Sequence, residues 1–232
     1  PERHRDGEPL IDPIAWAVAS YLVNFKPIED HGIIGNLETI ALVAKDASID
    51  FMCFPRFDSP TVFAALLDPD KGGTFSLAPV RCRAWMKQMY VPDSAVLLTR
   101  FLCQEGVSEI SDFMPLQAAA LPRCVVRRAK TVRGDTHFRM LCAPRFDYAR
   151  SPHRIEKKSD RECLFISEGP DQTLLRLRSD VPFRVENGSA VAEFELKSGE
   201  SAAFILEDAN SSPDTPTSAP HFVADAFKQT LS

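Results

Sequence analysis

The sequence of 232 residues lacks the features of membrane and nucleic-acid-binding proteins. Its longest apolar run, from Ile14 to Val23, is shorter than the roughly 20 residues that cross a bilayer. Basic side chains are fewer than acidic ones, 27 against 32, and they form no block, so the formal net charge is -5. We therefore expect no membrane and no nucleic-acid partner, and this charge favours neutral or weakly polar ligands.

Motifs for metal, nucleotide and nucleophilic chemistry are also missing. The histidines are scattered without ligand spacing, and no phosphate loop, Gly-x-Gly-x-x-Gly run or Gly-x-Ser-x-Gly elbow occurs. The cysteines lie far apart and include no Cys-x-x-Cys pair: Cys53, Cys82, Cys103, Cys124, Cys142 and Cys163. We predict no metal and no cofactor. We interpret the cysteines as buried free thiols of a reducing, cytoplasmic compartment, with a disulfide set as the alternative.

The sequence does contain many short segments in which apolar and polar residues alternate. Alternation at 40–44 and again at 49–53, with a turn at 45–48 between them, predicts a β-hairpin. Further segments of this kind are Thr74–Val80, Ala84–Val91, Ala95–Cys103, Val107–Met114, Cys124–Val132, Thr136–Ala143, Cys163–Ser167, Thr173–Leu177, Phe183–Glu186, Val191–Leu196 and Ala202–Glu207. Such spacing predicts a mainly β protein, a large antiparallel super-β-sandwich.

Helical patterns are short. Apolar spacing from Ile11 to Leu22 predicts an amphipathic N-terminal helix, which could pack on its own domain, on a further domain or on a second subunit. A cap at Asp58 or Ser59 and apolar residues up to Leu67 predict one short inserted helix.

The last part of the sequence changes in composition. Residues 210–220 are rich in Ser, Thr and Pro, as is typical of a linker, and helical spacing resumes at Phe222. We predict three parts: an N-terminal extension at 1–24, a β-sandwich domain at 25–208, and at 209–232 a linker with the start of a helix leading to a domain absent from this chain.

One hexapeptide occurs twice in related form. Cys53-Phe54-Pro55-Arg56-Phe57-Asp58 is followed later by Cys142-Ala143-Pro144-Arg145-Phe146-Asp147, and each copy closes a predicted strand. Pro ends ladder pairing, while Arg and Asp two residues apart can pair with each other or with the backbone of the bend. Repeated use of a strand exit and an internal duplication are both compatible with this pattern.

Candidate chemical groups are few. Glycoside hydrolysis needs two opposed carboxyl groups, and the candidates by residue type are Glu29, Asp30, Asp50 and Asp58. Each has a structural explanation in a turn, a strand or a helix cap, so we predict no catalytic residue. Trp16, Trp85, Tyr90 and Tyr148 could stack on sugar rings, but 16 phenylalanines against 2 tryptophans and 3 tyrosines favour core packing for the aromatic set.

Several motifs in order carry a family resemblance. They are Pro27-Ile28-Glu29-Asp30-His31-Gly32-Ile33-Ile34-Gly35, Thr39-Ile40-Ala41-Leu42-Val43, Asp46-Ala47-Ser48-Ile49-Asp50-Phe51 and Pro55-Arg56-Phe57-Asp58-Ser59-Pro60-Thr61-Val62-Phe63-Ala64-Ala65-Leu66-Leu67. Together they resemble the amino-terminal region of the glucoamylase/trehalase-like glycoside hydrolases of family 15, and the similarity continues to about Glu207. Ala47 stands where that family usually has Gly, which strains any turn of positive φ there. Phe51 and His31 replace a usual Trp and Tyr.

This resemblance implies a two-domain enzyme for α-glucosides, in which a β-sandwich precedes an (α/α)6 barrel that carries two catalytic glutamates. No segment here resembles the barrel, so we expect a non-catalytic domain that packs on a barrel of the same protein and shapes its cleft. The expected rim residues are Arg56, Phe57, Asp58, Glu29, Asp30, Arg145 and Asp147. A free-standing module that binds carbohydrate or protein is the alternative, and an α-glucoside ligand and a homo-oligomer stay open.

Overall fold

The computed structural model describes residues 25–80, 85–116, 123–210 and 221–230. Its strands are β1 (His31–Gly35), β2 (Ile40–Ala44), β3 (Ser48–Cys53), β4 (Thr61–Phe63), β5 (Thr74–Pro79), β6 (Trp85–Tyr90), β7 (Leu97–Leu102), β8 (Val107–Phe113), β9 (Cys124–Arg133), β10 (Thr136–Ala143), β11 (His153–Ser159), β12 (Glu162–Ser167), β13 (Leu174–Ser179), β14 (Arg184–Glu186), β15 (Ser189–Leu196) and β16 (Ser201–Asp208). A 3-10 turn at Ile28–Asp30 precedes β1, a short turn at Phe146–Ala149 follows β10, and helix α1 spans Phe222–Thr230.

The strands form two sheets in which all neighbours are antiparallel. The first sheet has the order β1-β2-β3-β5-β10-β15-β14, with β4 paired to β3. The second has the order β11-β12-β13-β16-β9-β8-β7-β6. The predicted mainly β sandwich is therefore confirmed, as is the hairpin formed by β2 and β3.

Phenylalanine fills much of the space between the sheets. Phe75 and Phe138 from the first sheet and Phe165 and Phe204 from the second are each 0% exposed. The ring centroids of Phe194 and Phe204 lie 5.6 Å apart across the interface. Full burial of such a side chain contributes about 1.5 to 3 kcal/mol, so these alternating residues drive the sheets together.

A buried arginine joins the two sheets through polar contacts. Arg127 of β9 and Asp112 of β8 both have side chains that are 0% exposed, and the Arg127 Nε donates to Asp112 Oδ1 at 2.8 Å. Arg127 Nη2 donates to the carbonyl of Ala47 at 2.5 Å, and its Nη1 donates to the carbonyl of Phe75. Because the carbonyl partners belong to the first sheet and the carboxylate to the second, this cluster, the Arg127 clamp, holds the layers in register.

The strain expected at Ala47 is present. This residue has a φ of +59° in the turn between β2 and β3, and its side chain is buried. Besides Arg127, the amide of Leu77 donates to its carbonyl at 3.4 Å. A non-glycine residue in this region raises the energy of the backbone, and here the left-handed turn directs a carbonyl group to the clamp.

The predicted inserted helix at 58–67 is wrong. Thr61–Phe63 form strand β4, which is buried throughout and pairs with β3. The amides of Ala64 and Ala65 then donate to the carbonyls of Gly72 and Gly73 at 2.8 and 3.2 Å. The cap and apolar spacing fit a helix equally well, but burial of the β-branched Thr61 and Val62 against a neighbouring strand favoured the extended form.

Two strands were not expected from the alternation. The glycines at 32 and 35 resemble a turn in the sequence, yet they belong to β1. Strand β11 is mostly polar and exposed, so it lacks an apolar repeat.

Toward the C-terminus, helix α1 confirms the helical spacing after Phe222. It packs on the outer side of the second sheet, where the Phe113 and Phe227 rings lie 5.7 Å apart. The predicted N-terminal helix and most of the linker lie outside the described residues.

The expectation of free thiols is wrong at Cys103. Cys53, Cys124, Cys142 and Cys163 are free, whereas Cys103 is disulfide-bonded. Spacing along the sequence did not reveal this bond. Burial raises the pKa of Cys163 to about 12, so this thiol stays protonated at neutral pH. Among the described residues, no helix is long and apolar enough to cross a membrane.

Candidate cleft-rim site

Sheet topology brings the two related hexapeptides to the same end of the first sheet, where its strands β3 and β10 both finish. Strands β3 and β10 each pair antiparallel with β5, from opposite sides, so they run parallel to one another and end toward the same edge of the first sheet. We call residues 54–59 and 144–150, which follow these two strands, the two-loop edge. Five of the seven predicted rim residues lie there: Arg56, Phe57, Asp58, Arg145 and Asp147.

The first loop is tied to the backbone and exposes its side chains. The Phe57 amide donates to the carbonyl of Glu38 at 2.9 Å, and the Arg56 amide donates to the hydroxyl of Ser59 at 3.2 Å. The Phe57 side chain nevertheless remains 55% exposed. Arg56 Nε lies 3.2 Å from Asp58 Oδ1, which is the ion pair that the spacing suggested.

The second loop uses the same residue types differently. Phe146, the counterpart of Phe57, is 0% exposed. Arg145 donates to the carbonyl groups of Pro144 at 2.8 Å and Gly188 at 3.3 Å, not to Asp147. Asp147 instead pairs with Arg150, with Nη2 2.6 Å from Oδ1. The repeated sequence thus gives one loop with an exposed phenylalanine and one loop anchored by a buried phenylalanine.

Strand β4 connects the two loops. The Arg145 amide donates to the carbonyl of Val62 at 2.9 Å, and the Tyr148 amide donates to Oγ1 of Thr61 at 2.8 Å. Thr61 itself is fully buried. The edge is therefore a single unit, because the second loop is hydrogen-bonded to the strand that follows the first.

Three consecutive non-glycine residues at this edge adopt the left-handed conformation. Asp147 has φ +50° and ψ +57°, and Tyr148 has φ +56° and ψ +39°. Ala149 has φ +62°. Each such residue raises the energy by roughly 1 kcal/mol or more, so the surrounding contacts must hold the turn in place.

A partly buried histidine supports the second loop. His153 Nε2 lies 2.9 Å from the carbonyl of Gly188, and the ring packs edge-on against Phe146 at 5.5 Å. Burial lowers the pKa of His153 below its usual value, and the Arg145 charge lowers it further against the opposing effects of the carbonyl and Glu168. Burial likewise lowers the pKa of Arg145.

The other two predicted rim residues lie at the opposite end of the first sheet. Glu29 and Asp30 precede β1, which runs parallel to β3 and begins where β3 begins. The Asp30 carbonyl accepts a hydrogen bond from the Lys45 amide at 2.9 Å, and its carboxylate pairs with the Lys45 ammonium. The predicted set therefore divides into five residues at the two-loop edge and two at the far end.

Asp50, one of the candidate carboxylates, is held in a polar network. It is 4% exposed and accepts hydrogen bonds from Ser48 at 2.7 Å and Thr74 at 3.2 Å. The Lys26 ammonium lies 3.0 Å from Asp50 and 2.8 Å from Asp46. Burial alone would raise the pKa of Asp46, but hydrogen bonds and charge from Lys26, together with Ser48, bring it below its usual value. These contacts give the carboxylates a structural role.

A cavity in the described part of the chain lies away from the two-loop edge. It has a volume of about 660 Å³ and opens where β5 ends and β10 begins. Its polar lining includes Glu105, Asp135, His137, Glu193 and Glu195, and Phe138 and Phe194 form part of its apolar lining. Nothing in the sequence identified this cavity, because its walls come from turns and strands that are distant in sequence.

The expectation that the sugar-stacking candidates pack in the core is wrong for the three described ones. Trp85 is 84% exposed, Tyr90 49% and Tyr148 47%. Trp16 lies outside the described residues. Phenylalanine does fill the core, whereas the described tryptophan and the two described tyrosines are exposed. The excess of phenylalanine therefore predicted the filling of the core but not the position of the other aromatic rings.

Comparisons with known proteins agree with this architecture. Residues 20–207 match the family model described as "Trehalase-like, N-terminal". A trehalase of Mycolicibacterium smegmatis is 28% identical over 217 residues, which cover 84% of this chain and 32% of that protein. Trehalase 2 of Sulfolobus acidocaldarius is 39% identical over 160 residues, which cover 67% of this chain and 26% of that protein.

Trehalase 1 of the same archaeon is 37% identical over 154 residues, covering 62% of this chain and 25% of that protein. The chain thus spans between a quarter and a third of the length of these relatives. Since the family model covers most of the sandwich, the chain belongs to the family of trehalase-like N-terminal domains.

Proposed function

We propose that this chain is the non-catalytic sandwich domain of an α-glucoside hydrolase, and that it packs on an (α/α)6 barrel of the same polypeptide. The observation that carries the proposal is the match of residues 20–207 to an N-terminal domain, together with the small share of each trehalase that the chain covers. The named relatives are trehalases, so trehalose is the first substrate to test. A cytoplasmic location belongs to the same proposal. Four described cysteines are free, which supports this location, whereas the disulfide at Cys103 does not. Cell fractionation tests the location.

We place the barrel-facing rim at the two-loop edge. This edge combines a half-exposed Phe57 with exposed arginine–carboxylate pairs, and aromatic and arginine side chains dominate the energetics of many interfaces. Hydrogen bonds through β4 fix its shape before any partner binds, which lowers the entropic cost of association.

Two measurements test this role. The purified chain is expected to leave trehalose and maltose intact, whereas a polypeptide that also carries the catalytic domain hydrolyses one of them. In that longer polypeptide, Phe57→Ala is expected to lower kcat/KM about tenfold, which corresponds to about 1.4 kcal/mol. Val132→Ala is the control, because Val132 is 44% exposed at the far end of β9. Hydrolysis by the chain alone, or equal effects of the two substitutions, would contradict the proposal.

The cavity of about 660 Å³ favours a second candidate, a free-standing carbohydrate-binding module. This volume is within the range of small-molecule sites, which span about 300 to 1,000 Å³. Calorimetric titration of the chain with trehalose and maltooligosaccharides separates the two functions. A saturable heat abolished by Phe194→Ala would favour the module, whereas no heat is expected for a scaffold. Sedimentation of the same sample tests a homo-oligomer.

A further inference from the structure

The left-handed turn at 147–149 is unusual for its residue types. Elsewhere the described chain places four glycines at positive φ, Gly73, Gly134, Gly188 and Gly199, and five non-glycine residues that do not follow one another: Leu37, Ala47, Asp93, Gln172 and Asn187. Here it places Asp, Tyr and Ala in succession in the same region. A chain that needed only a tight reversal would be more stable with glycine at one of these positions, so the side chains themselves are the feature to explain.

Several contacts force the turn into this form. The Ser151 amide donates to the carbonyl of buried Phe146 at 3.2 Å, and the Arg150 amide donates to the carbonyl of Asp147 at 3.0 Å. Thr61 accepts the Tyr148 amide from the other side. These backbone contacts therefore fix the direction of the Cα–Cβ bond of Tyr148, whatever its ring contacts.

The ring of Tyr148 is only partly covered by the rest of the described chain. It is 47% exposed, the Arg150 guanidinium lies 5.6 Å from its centroid, and its phenol hydroxyl bonds to none of the described residues. Tyr90, which is 49% exposed, differs in its hydroxyl. That hydroxyl both donates to the carbonyl and accepts from the amide of Ile33, at 2.9 Å each, and so completes the edge of the first sheet.

The charges around Tyr148 favour a neutral ligand. Arg150 is paired with Asp147, Arg56 is paired with Asp58, and Arg145 is turned toward backbone carbonyls. A phosphate or carboxylate would have to compete with these partners. A polyhydroxylated ring, in contrast, can present C–H groups to the aromatic ring while its hydroxyls accept from Arg150 and exchange hydrogen bonds with the phenol.

We propose that Tyr148 is a specificity-determining residue that contacts a sugar ring of a neutral α-glucoside at the two-loop edge, held there by the left-handed turn. This inference rests on the proposed function, since the cleft is completed by the catalytic domain. The turn pre-positions the side chain, so the ligand does not have to order it on binding.

The test uses the polypeptide that carries both domains, with trehalose as substrate. Tyr148→Ala is expected to raise KM about tenfold with little change in kcat, and Tyr148→Phe to raise it about threefold, because only the hydroxyl is lost. Neither should shift the thermal midpoint without substrate, but the rise in midpoint that trehalose causes should shrink in both. Tyr90→Phe is the matched control: it should lower the midpoint, since two hydrogen bonds are removed, and leave KM unchanged.

The outcomes separate this inference from the proposed function. If the unsubstituted polypeptide hydrolyses neither trehalose nor maltose, the proposed function fails, and this inference fails with it. If it is active but both Tyr148 variants keep KM and the trehalose-induced shift in midpoint, only the inference is overturned. Reduced thermal stability of the interdomain interface at unchanged KM would mean that Tyr148 contacts the barrel rather than sugar, which also overturns it.

A second variant tests the role of the strained turn. Ala149→Gly relieves one left-handed residue without changing the ring of Tyr148. We expect the thermal midpoint to stay equal or rise while KM rises about threefold, because the side chain is no longer held in one direction. A raised midpoint with unchanged KM would show that the strain serves only the chain reversal, and the positioning role of the turn would be overturned.

Discussion

The Arg127 clamp and the two-loop edge both contain arginine–aspartate pairs, but they differ in almost every other respect. In the clamp, Arg127 and Asp112 are fully buried, and the guanidinium also donates to two backbone carbonyls. At the edge, the Arg150 side chain is 69% exposed, and the backbone beside it is strained. The difference indicates that the interior is built to hold two sheets together, whereas the edge is built to present side chains outward.

The largest expected effect comes from matched substitutions of the two arginines. Arg127→Met should lower the free energy of unfolding by about 3 to 5 kcal/mol, because it leaves the buried Asp112 carboxylate without its partner. Arg150→Met should lower it by at most about 1 kcal/mol, since exposed pairs contribute little. Urea unfolding of both variants measures the difference.

A double variant sharpens this result. Adding Asp112→Leu to Arg127→Met removes the unpaired charge and should recover part of the lost stability, which a double-mutant cycle reports as strong coupling. Similar losses for Arg127→Met and Arg150→Met, or no recovery in the double variant, would show that the two regions do not differ in the way described.

An intermediate effect is expected at the junction between the loops. Thr61→Val keeps the shape and β propensity of the buried residue but removes the acceptor of the Tyr148 amide. The free energy of unfolding should fall by about 1 kcal/mol, because the partly buried Tyr148 amide loses its acceptor. Thr61→Ser, which retains the hydroxyl, is the control and should cost less. Equal stability of the Val variant and the original would mean that β4 does not hold the second loop.

The smallest effect concerns pH and the support of the second loop. Because the pKa of His153 is lower in the folded chain than its usual 6.5, the unfolded chain binds more protons as the pH falls below that value. The contribution of His153 to stability is therefore complete above about pH 6.5 and decreases as the pH falls toward the folded pKa.

The measurement is urea unfolding between pH 7.5 and 5.5. This window lies above the usual 3.8 of Asp46 and Asp171, whose lowered pKa values affect stability at more acidic pH. His153→Gln keeps a group that can donate to the Gly188 carbonyl but does not titrate, so its stability should fall less over this window. If the free energy of unfolding changed with pH equally in the His153→Gln variant and in the original chain, the pH dependence could not be assigned to His153.

Most of the sandwich could be predicted from the alternation of apolar residues, and its errors have specific causes. The β2–β3 hairpin was visible because one face of each strand is buried. The segment at 58–67 has both a helix cap and β-branched residues, and only its pairing with β3 decided between them. The contact of Arg145 with the Gly188 carbonyl had no counterpart in the pattern, because it joins residues distant in sequence.

By itself the sequence determined most of the strands, that phenylalanine builds the core, that Ala47 strains its turn and which family the chain resembles. Only the tertiary structure decided that Arg127 lies between the sheets, that the two related hexapeptides meet at one edge, and that their phenylalanines have opposite exposure. The physical reason is that strand formation follows from local periodicity, whereas burial, hydrogen-bond partners and backbone strain depend on neighbours that only sheet pairing brings together.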